Sequence, residues 1–260
     1  MTAHASSTST ELRLIALASI PQVRAGDDIA SLTIASLQQS RLSLQHGDVL
    51  VIAQKIVSKA EGRMVNLANI TPSPRALELA SHVNKNPRIV ELILRESVEV
   101  VRYRKDVLIV AHRCGYVLAN AGIDASNVCG DGGSVLLLPE DSNRSCLELR
   151  ARLAKQTGVA PGVIINDSLG RAWRNGTVGA ALGSAGIPAL LNLRGRLDLF
   201  GRELVSTEVG VADEIAAAAS LLMGQANEGR PVILVRGLNL PESGGSAADL
   251  IRPRDLDLFR

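Results

Sequence analysis

Short apolar runs separated by polar turns recur along the chain, and they predict a protein rich in β-strands. A continuous apolar run is typical of a strand buried on both faces of a sheet, whereas alternation of apolar and polar residues is typical of a half-buried strand. Residues 49–53 are continuously apolar, and residues 97–104 alternate. The predicted strands are 12–17, 49–53, 97–104, 107–110, 135–138, 163–165 and 231–236.

Other segments carry the 3.6-residue period of amphipathic helices, with recognisable start and stop signals. Asp27 and Asp28 stand before one such segment as candidate N-caps, and Gly224 follows another as a C-cap glycine. Pro87 is expected to break a long helical stretch. The predicted helices are 29–37, 72–94 with that break, 145–157 and 215–223. Strands and helices mixed in this order predict an α+β protein.

The amino-acid composition adds one prediction to the pattern of strands and helices, which concerns the side chains that form the core. Of the 260 residues, 46% are hydrophobic and 21% charged, which is typical of a globular protein, but there are only one Trp, two Tyr and two Phe. The core is therefore expected to be aliphatic. Scarce aromatics argue against binding of single-stranded nucleic acid, and a net charge of +2 with no Lys/Arg block gives no support to nucleic-acid or membrane-surface binding.

Targeting signals and metal-binding cysteine motifs are not evident. No apolar run approaches the roughly 20 residues of a membrane span, and residues 1–10 are Ser/Thr-rich and read as a disordered tail. The three cysteines, Cys114, Cys129 and Cys146, are odd in number and far apart. They predict free thiols in a reducing cytoplasm rather than disulfides or a zinc site.

Two polar bursts follow apolar segments and resemble each other. In residues 120–127 Asp124 comes shortly before a serine, and about 40 residues later Asp167 and Ser168 follow the apolar segment 163–165. Carboxylates at strand ends, beside small residues, are suited to holding Mg²⁺ or Mn²⁺ near a phosphate. We therefore predict that Asp124 and Asp167 converge on a divalent-metal and nucleotide site.

A third polar stretch, residues 54–63, comes directly after the buried strand 49–53. It places Lys55 and Lys59 four residues apart, beside Ser58, Glu61 and Arg63. The stretch is compatible with an ordinary solvated loop or helix face. It is also compatible with phosphate recognition, because ligand sites favour the carboxyl ends of strands and a lysine supplies a mobile positive charge.

Three further features leave their alternatives open. Trp173 lies between Arg171 and Arg174 and is suited either to stacking on a ligand or to packing. The Gly/Ala-rich residues 178–185 indicate close backbone packing or a loop that wraps a ligand. The polar loop 225–230 connects a helix to a strand and could also close a nucleotide pocket. No common phosphate-loop or dinucleotide fingerprint is present.

Taken together, these segments resemble the coenzyme F420-0:L-glutamate ligase family. The resemblance is carried by residues 47–63, 119–127, 165–170, 223–229 and 246–252, in the same order, and covers roughly residues 12–252. It implies an unusual mixed α/β ligase fold of the F420-0:gamma-glutamyl ligase type, with two intertwined subdomains in a homodimer. It also implies one catalytic unit at residues 11–253, followed by a short C-terminal tail at residues 254–260.

The activity implied by the resemblance is GTP-dependent addition of L-glutamate to F420-0, followed by further γ-linked glutamates. The family uses Mg²⁺ or Mn²⁺, assisted by a monovalent cation such as K⁺. By position, the metal residues are Asp124, Asp167, Ser168 and Gln225, and the residues expected to act in catalysis are Asp124, Asp167 and Lys59. The implied GTP contacts are Ser19, Ile20, Pro21, Gln22, Gln54, Lys55, Lys59, Asn127, Met223, Gly224, Gln225, Ala226, Asn227, Glu228, Gly229 and Arg230.

Some expectations about this family remain open in the sequence. Some actinobacterial relatives continue into a nitroreductase-like domain, and because this sequence ends at Arg260 we expect that second activity to be missing. Cys114 replaces a histidine of the family pattern, so a role for that position is in doubt. Arg113 or Arg171 could hold the incoming glutamate or the acceptor carboxylate. The alternatives are an amide ligase with a different acceptor and a non-catalytic nucleotide- or flavin-binding protein.

Overall fold

The computed structural model describes residues 11–125, 133–241 and 244–258. Their strands are β1 Arg13–Ala16, β2 Val49–Ala53, β3 Met64–Asn66, β4 Ser97–Arg104, β5 Val107–His112, β6 Val117–Ala119, β7 Ser134–Leu136, β8 Gly162–Arg171, β9 Arg174–Ala185, β10 Leu191–Asn192, β11 Glu208–Val209 and β12 Val232–Arg236. Their α-helices are α1 Ile29–Gln39, α2 Gln54–Ala60, α3 Pro74–Val83, α4 Pro87–Arg95, α5 Ser142–Thr157 and α6 Val211–Met223.

A five-stranded sheet in the order β1-β12-β2-β8-β9 forms the centre of the fold. β2 and β8 are parallel, and the other neighbouring pairs are antiparallel. The parallel register runs from Val49 opposite Gly162 to Ala53 opposite Asn166. β8 continues beyond that point, paired with β9 alone, so the carboxyl end of β2 opens a space beside the second half of β8.

Both faces of this sheet are buried, as the continuous apolar runs predicted. On one face, Leu50 and Ile52 of β2 pack in a cluster with residues of α1 and α5. On the other face, Val49 and Val51 pack in a cluster with residues of α6. Successive residues of a strand point to opposite faces, so a run without polar interruptions is required where helices cover both sides. The aliphatic core predicted from composition is confirmed.

A second region is formed by the chain between α2 and α5. Here β4, β5 and β6 form an antiparallel sheet that packs with α3 and α4, and β3 pairs with β7. The predicted break at Pro87 is confirmed, since α3 ends at Asn84 in the left-handed conformation and α4 begins at Pro87 after the N-cap Asn86. A proline at the first helical position is favourable because its missing N–H would have no helical partner there. The mixed α+β fold class is therefore confirmed.

The Gly/Ala-rich segment is strand β9, so the expectation of close packing is confirmed and the alternative of a ligand-wrapping loop is wrong. A Cβ on Gly179 would lie 2.1 Å from Ser220 Oγ and 2.5 Å from the carbonyl oxygen of Ala216, both in α6. A Cβ on Gly183 would lie 2.2 Å from the carbonyl oxygen of Ser142 in α5. The small residues let helices on both faces approach the strand backbone.

In the described residues, the structure contains no helix that is both long enough and apolar enough to cross a membrane.

Candidate functional site

A cleft of about 760 Å³ lies at the carboxyl end of the parallel pair β2 and β8. Its walls come from six separate parts of the chain: the loop after β1, helix α2, β6 with the turn before Asp124, the second half of β8, Thr177 of β9 and the loop between α6 and β12. Of the predicted site residues, those lining it are Ile20, Pro21, Gln22, Gln54, Lys55, Lys59, Asp124, Asp167, Ser168, Met223, Gly224, Gln225, Ala226, Asn227, Glu228, Gly229 and Arg230.

Among the described residues, Ser19 is the predicted site residue that does not line the cleft. Ser19 precedes the lining residues of its loop and adopts a φ of 60°. The loop is anchored beside it, because the hydroxyl of Ser36 in α1 donates to the carbonyl oxygen of Ala18. Asn127 lies outside the described residues, so its predicted nucleotide contact stays a prediction.

Asp167 enters the cleft from the middle of β8, and the prediction that it ends its strand is wrong. β8 runs on to Arg171 because β9 continues to pair with it, with Asp167 opposite Ala180. The parallel partner β2, however, ends one residue earlier, at the pairing of Ala53 with Asn166. Asp167 is therefore the first residue of β8 beyond its parallel partner, which leaves its side chain free to face the cleft.

The sequence predicted that Asp124 follows the end of a strand. In the structure it is separated from β5 by further elements. Between the strand β5 and Asp124 the chain forms β6 and a short 3-10 turn, in which Asn120 and Ala121 have φ values of 53° and 55°. Asp124 then forms an isolated antiparallel bridge with Leu136 of β7, with N–H···O distances of 2.9 and 2.8 Å. This bridge fixes the backbone that presents the carboxylate.

The carboxylate of Asp124 contacts the start of α2. Gln54 Nε2 donates to Asp124 Oδ2 at 3.1 Å, and Lys55 Nζ lies 3.3 Å from the same oxygen. Gln54 is buried, and its Oε1 accepts a hydrogen bond of 2.9 Å from the hydroxyl of Ser58, one helical turn later. The polar stretch 54–63 thus forms helix α2, with its first turn in the cleft, and the turn that follows it. The alternative of an ordinary solvated face does not describe Gln54 or Ser58, which are buried.

Both carboxyl groups have raised pKa values. Burial is the largest cause for each. For Asp167 the charge on Asp124 adds to burial, and the pKa rises to about 6 even though the backbone N–H of Ser168 and the Lys55 ammonium act in the opposite direction. For Asp124 burial outweighs the lowering by Lys55 and Gln54. Two neighbouring carboxyls in a poorly solvated cleft therefore lack sufficient positive charge from the protein.

Ser168 and Gln225 meet across the cleft, as the prediction of a shared site requires. The Ser168 hydroxyl donates to Gln225 Oε1 at 2.6 Å, which joins β8 to the loop after α6. That loop starts at Gly224, whose φ of 72° ends α6. Glu228 shapes the loop, since its Oε2 accepts from the N–H of Ala226 at 2.8 Å. Glu228 is thus engaged in forming the loop wall.

The oxygen atoms in the cleft fit a hard divalent cation such as Mg²⁺ or Mn²⁺. Such ions bind carboxylates together with hydroxyl, amide and water oxygens. No group of three or more His, Cys, Asp or Glu side chains able to hold a metal occurs in the described ranges. Asp124 and Asp167 would therefore supply the charged ligands, with Ser168 and Gln225 as neutral ones. A cation there would counteract both causes of the raised pKa of Asp167, its burial and the charge on Asp124.

Some cleft residues were not singled out from the sequence. Asn166 precedes Asp167 and is buried, and its Nδ2 donates to Ser220 Oγ at 3.0 Å and to Met223 Sδ at 3.3 Å, which fastens β8 to α6. Its position directly after the apolar residues 163–165 is a signal in the sequence that could have identified Asn166. Thr177 also lines the cleft, but only its pairing with Gly170 across the β8–β9 hairpin brings it there.

Other residues that the sequence suggested lie away from this lining. Arg113 forms an ion pair with Glu96, and His112 is buried beside the same carboxylate. Arg171 and Trp173 lie at the tip of the β8–β9 hairpin, where Trp173 is 85% exposed. The expectation that Arg113 or Arg171 holds a substrate carboxylate stays untested.

The chain was compared with known protein families and proteins. A sequence profile of the F420-0:gamma-glutamyl ligase family matches residues 18–237. A protein of Methanothermobacter thermautotrophicus named coenzyme F420:L-glutamate ligase is 47% identical over 251 residues, covering 96% of this chain and 99% of the relative. Proteins of the same name from Methanopyrus kandleri and Archaeoglobus fulgidus are 47% and 44% identical, covering 92% and 93% of this chain and 94% and 93% of theirs.

The profile spans most of the chain, and the identities extend over nearly the full length of both partners. The matched residues include all six parts of the chain that form the cleft. The protein is therefore a ligase that belongs to the F420-0:gamma-glutamyl ligase family.

Proposed function

We propose that this protein is a GTP-dependent ligase that joins L-glutamate to coenzyme F420-0 by an amide bond. The single observation that carries the proposal is the convergence of Asp124, Asp167, Lys55 and Lys59 in one cleft. Paired carboxylates and lysines at the carboxyl end of parallel strands are suited to a metal–nucleoside triphosphate complex. The names of the similar proteins support glutamate and the F420 coenzyme as the other substrates.

The chemistry requires activation of the acceptor carboxylate. A carboxylate oxygen of F420-0 attacks the γ-phosphorus of GTP, the bond to the β-phosphate oxygen breaks, and GDP leaves. The amine of L-glutamate then attacks the acyl carbon, an amide bond forms, and inorganic phosphate leaves with the amine proton passing to solvent. The same sequence of steps on the new terminal glutamate would add further γ-linked residues.

The residues of the cleft have distinct roles in this proposal. Asp124, Asp167, Ser168 and Gln225 would hold Mg²⁺ or Mn²⁺, which neutralises charge on the phosphates. Lys55 and Lys59 place positive charge beside the transferring phosphoryl group. The loops at residues 20–22 and 223–230 enclose the nucleotide. The resemblance of the motifs also supports assistance by K⁺ and a homodimer.

The test is a reaction of the purified protein with F420-0, L-glutamate, Mg²⁺ and GTP, followed by mass spectrometry of the products and measurement of GDP. We expect a product heavier by one glutamyl unit, formed in proportion to GDP, and little product with ATP. No glutamylated product would overturn the proposal. A product formed only in parallel reactions with another amino acid in place of L-glutamate would show an amide ligase of different specificity.

Variants separate a ligase from a nucleotide-binding protein without turnover. Asp124→Ala and Asp167→Ala should each lower kcat by about 10²-fold or more, because each removes a ligand of the cation that would neutralise the negative charge on the phosphates during phosphoryl transfer. A protein that only binds the nucleotide would show no product before substitution, and both variants would change its nucleotide affinity alone.

A further inference from the structure

Arg63 lies in the turn between α2 and β3 and is fastened to the segment after β7 by both its backbone and its side chain. Its carbonyl oxygen accepts from the N–H of Leu137 at 3.1 Å, and its Nε donates to the carbonyl oxygen of Leu138 at 2.9 Å. Its own N–H donates to the carbonyl oxygen of Ser58 in α2 at 2.9 Å. Arg63 therefore links the end of α2 to the end of β7.

The strand β7 in turn pairs with the backbone of Asp124. Leu136 of β7 pairs with Met64 of β3 on one side and with Asp124 on the other. The side chain of Asp124 contacts Gln54 and Lys55 at the start of α2. Arg63 thus connects α2 to β7, β7 pairs with Asp124, and the Asp124 side chain contacts α2 again. Moving Arg63 changes the spacing between the two elements that hold the Asp124 carboxylate.

The guanidinium of Arg63 is itself held by Glu96, at the junction of α4 and β4. Glu96 Oε2 lies 2.9 Å from Arg63 Nη2, 3.3 Å from Arg113 Nε and 3.6 Å from His112 Nε2. Its side chain is only 12% exposed. Burial alone would raise the pKa of Glu96, but His112, Arg63 and Arg113 lower it to about 2, so the carboxylate is charged in neutral solution.

We infer that Arg63 and Glu96 are positioning residues that set the place of Asp124 in the cleft and so control divalent-cation affinity. This inference rests on the proposed role of Asp124 as a cation ligand. Neither Arg63 nor Glu96 lines the cleft, and both act through hydrogen bonds to backbone and side-chain atoms behind it. Residues that orient metal ligands in this way commonly affect metal affinity about 10- to 100-fold.

A second buried ion pair provides a matched control for general stability. Asp48 and Arg236 form a two-point contact at 2.8 and 2.7 Å, and Asp48 is 1% exposed. This pair joins residues at the other end of β2, away from the cleft, and the side-chain hydrogen bonds described for it run between the two residues and to the backbone of Gln45 and Ser43. Loss of either pair should destabilise the fold, but only loss of the Arg63–Glu96 pair should disturb Asp124.

The experiment is a titration of the metal-free full chain with Mn²⁺, followed by electron paramagnetic resonance of free Mn²⁺, for Arg63→Lys, Glu96→Gln, Arg236→Lys and Asp48→Asn. We expect Arg63→Lys to weaken Mn²⁺ binding about 10-fold, since lysine cannot bridge Leu138 and Glu96 together. We expect Glu96→Gln, which keeps a hydrogen-bond acceptor, to weaken it about 3-fold. Arg236→Lys and Asp48→Asn should bind Mn²⁺ within about 2-fold of the unsubstituted protein.

Turnover and folding are measured on the same samples. In Arg63→Lys the KM for Mg²⁺ should rise more than kcat falls, a division that general destabilisation does not produce. The inference would be overturned if folded Arg63→Lys and Glu96→Gln bound Mn²⁺ as tightly as the unsubstituted protein does. It would also be overturned if the Asp48 and Arg236 variants weakened Mn²⁺ binding by the same factor. If Arg63→Lys does not fold, Glu96→Gln decides.

The variant Asp124→Ala distinguishes a failure of the positioning role of Arg63 and Glu96 from a failure of the cation-binding role of Asp124. If this variant loses Mn²⁺ binding while Arg63→Lys and Glu96→Gln keep it, the cation site stands and the positioning role is wrong. If Asp124→Ala itself binds Mn²⁺ with unchanged affinity, the proposed ligand role of Asp124 fails, and the positioning role fails with it.

Discussion

Asp167 and Asp124 reach the same cleft from different parts of the chain, near enough for the charge on Asp124 to add to burial in raising the pKa of Asp167 to about 6. The charge on Asp124 therefore disfavours the ionised form of Asp167. Such a pair is unfavourable for folding in the absence of a cation and favourable for binding one.

Asp167→Asn should stabilise the metal-free protein at neutral pH. The carboxyl has an ordinary pKa of 3.8 when unfolded and about 6 when folded, so the folded state binds more protons between these values and loses stability as the pH rises from 4 to 6. Above pH 6 the full cost remains, about 1–3 kcal/mol. Urea unfolding at pH 4 and pH 8 measures it: the variant should match the unsubstituted protein at pH 4 and exceed it at pH 8.

A control of opposite sign is Asp198→Asn. Backbone hydrogen bonds from Arg202 and Phe200 lower the pKa of Asp198, so its ionised form favours the folded state and its loss should destabilise the protein above pH 4. A stabilising effect of both substitutions at pH 8 would point to a general effect of lost negative charge and contradict our interpretation of Asp167.

Divalent-cation binding should weaken as the pH falls below 6. Asp167 must lose its proton to bind a cation, so affinity should decline up to about tenfold per pH unit below its pKa, and binding should release a proton there. Mn²⁺ titration by calorimetry in two buffers of different ionisation enthalpy, between pH 5 and 8, measures both effects. A pH-independent affinity across this range would contradict the role given to Asp167.

Gln225→Ala should lower nucleotide affinity without a large loss of stability. The substitution removes the hydrogen bond from Ser168 to Gln225 that closes one side of the cleft. A single such bond corresponds to about 1 kcal/mol, or roughly a 5-fold rise in the KM for GTP. Gln156→Ala is the matched control, because Gln156 contacts Ser31 at 3.5 Å away from the cleft. Equal effects of the two variants on KM would contradict the prediction.

Gly179→Ala should destabilise the fold by more than about 2 kcal/mol. A methyl group there would collide with Ser220 Oγ and the Ala216 backbone of α6, and overpacking a close contact is costly. Gly170→Ala in the neighbouring strand is the control, since nothing lies within 4 Å of its added Cβ. Its stability should change by no more than about 1 kcal/mol. Thermal unfolding of both variants tests the contrast.

Glu96→Gln should reduce the sensitivity of the protein to acid. The pKa of Glu96 falls from 4.5 to about 2 on folding, so its stabilising contribution is complete above pH 4.5 and is lost as the pH decreases toward 2. The variant Glu96→Gln lacks this pH-dependent contribution to the free energy of unfolding. The difference in unfolding free energy between the two proteins should therefore shrink from pH 6 to pH 3. A constant difference over that range would contradict the contribution of Glu96.

Most of the local structure follows from the amino-acid sequence. β2 and β4 have the predicted bounds, because an uninterrupted apolar run and an alternation of apolar and polar residues each match one kind of strand. The alternation in β4 is interrupted at Val100 and Val101, where its pairing with β5 shifts register. Asp28 caps α1 by accepting from the N–H of Ala30, as the residue type allows. The echo of Asp124 and Asp167 indicated a shared site, and the list of nucleotide contacts came from the family resemblance.

How these residues face one another depends on contacts between segments that are distant in the sequence. The length of β8 depends on β9, and so Asp167 became an interior residue of its strand. Asp124 owes its place to Leu136 and α2, and Thr177 to the β8–β9 hairpin. The physical reason is that backbone pairing and burial join segments far apart in sequence. Local propensity and periodicity report which face a residue takes, but not which distant segment covers it.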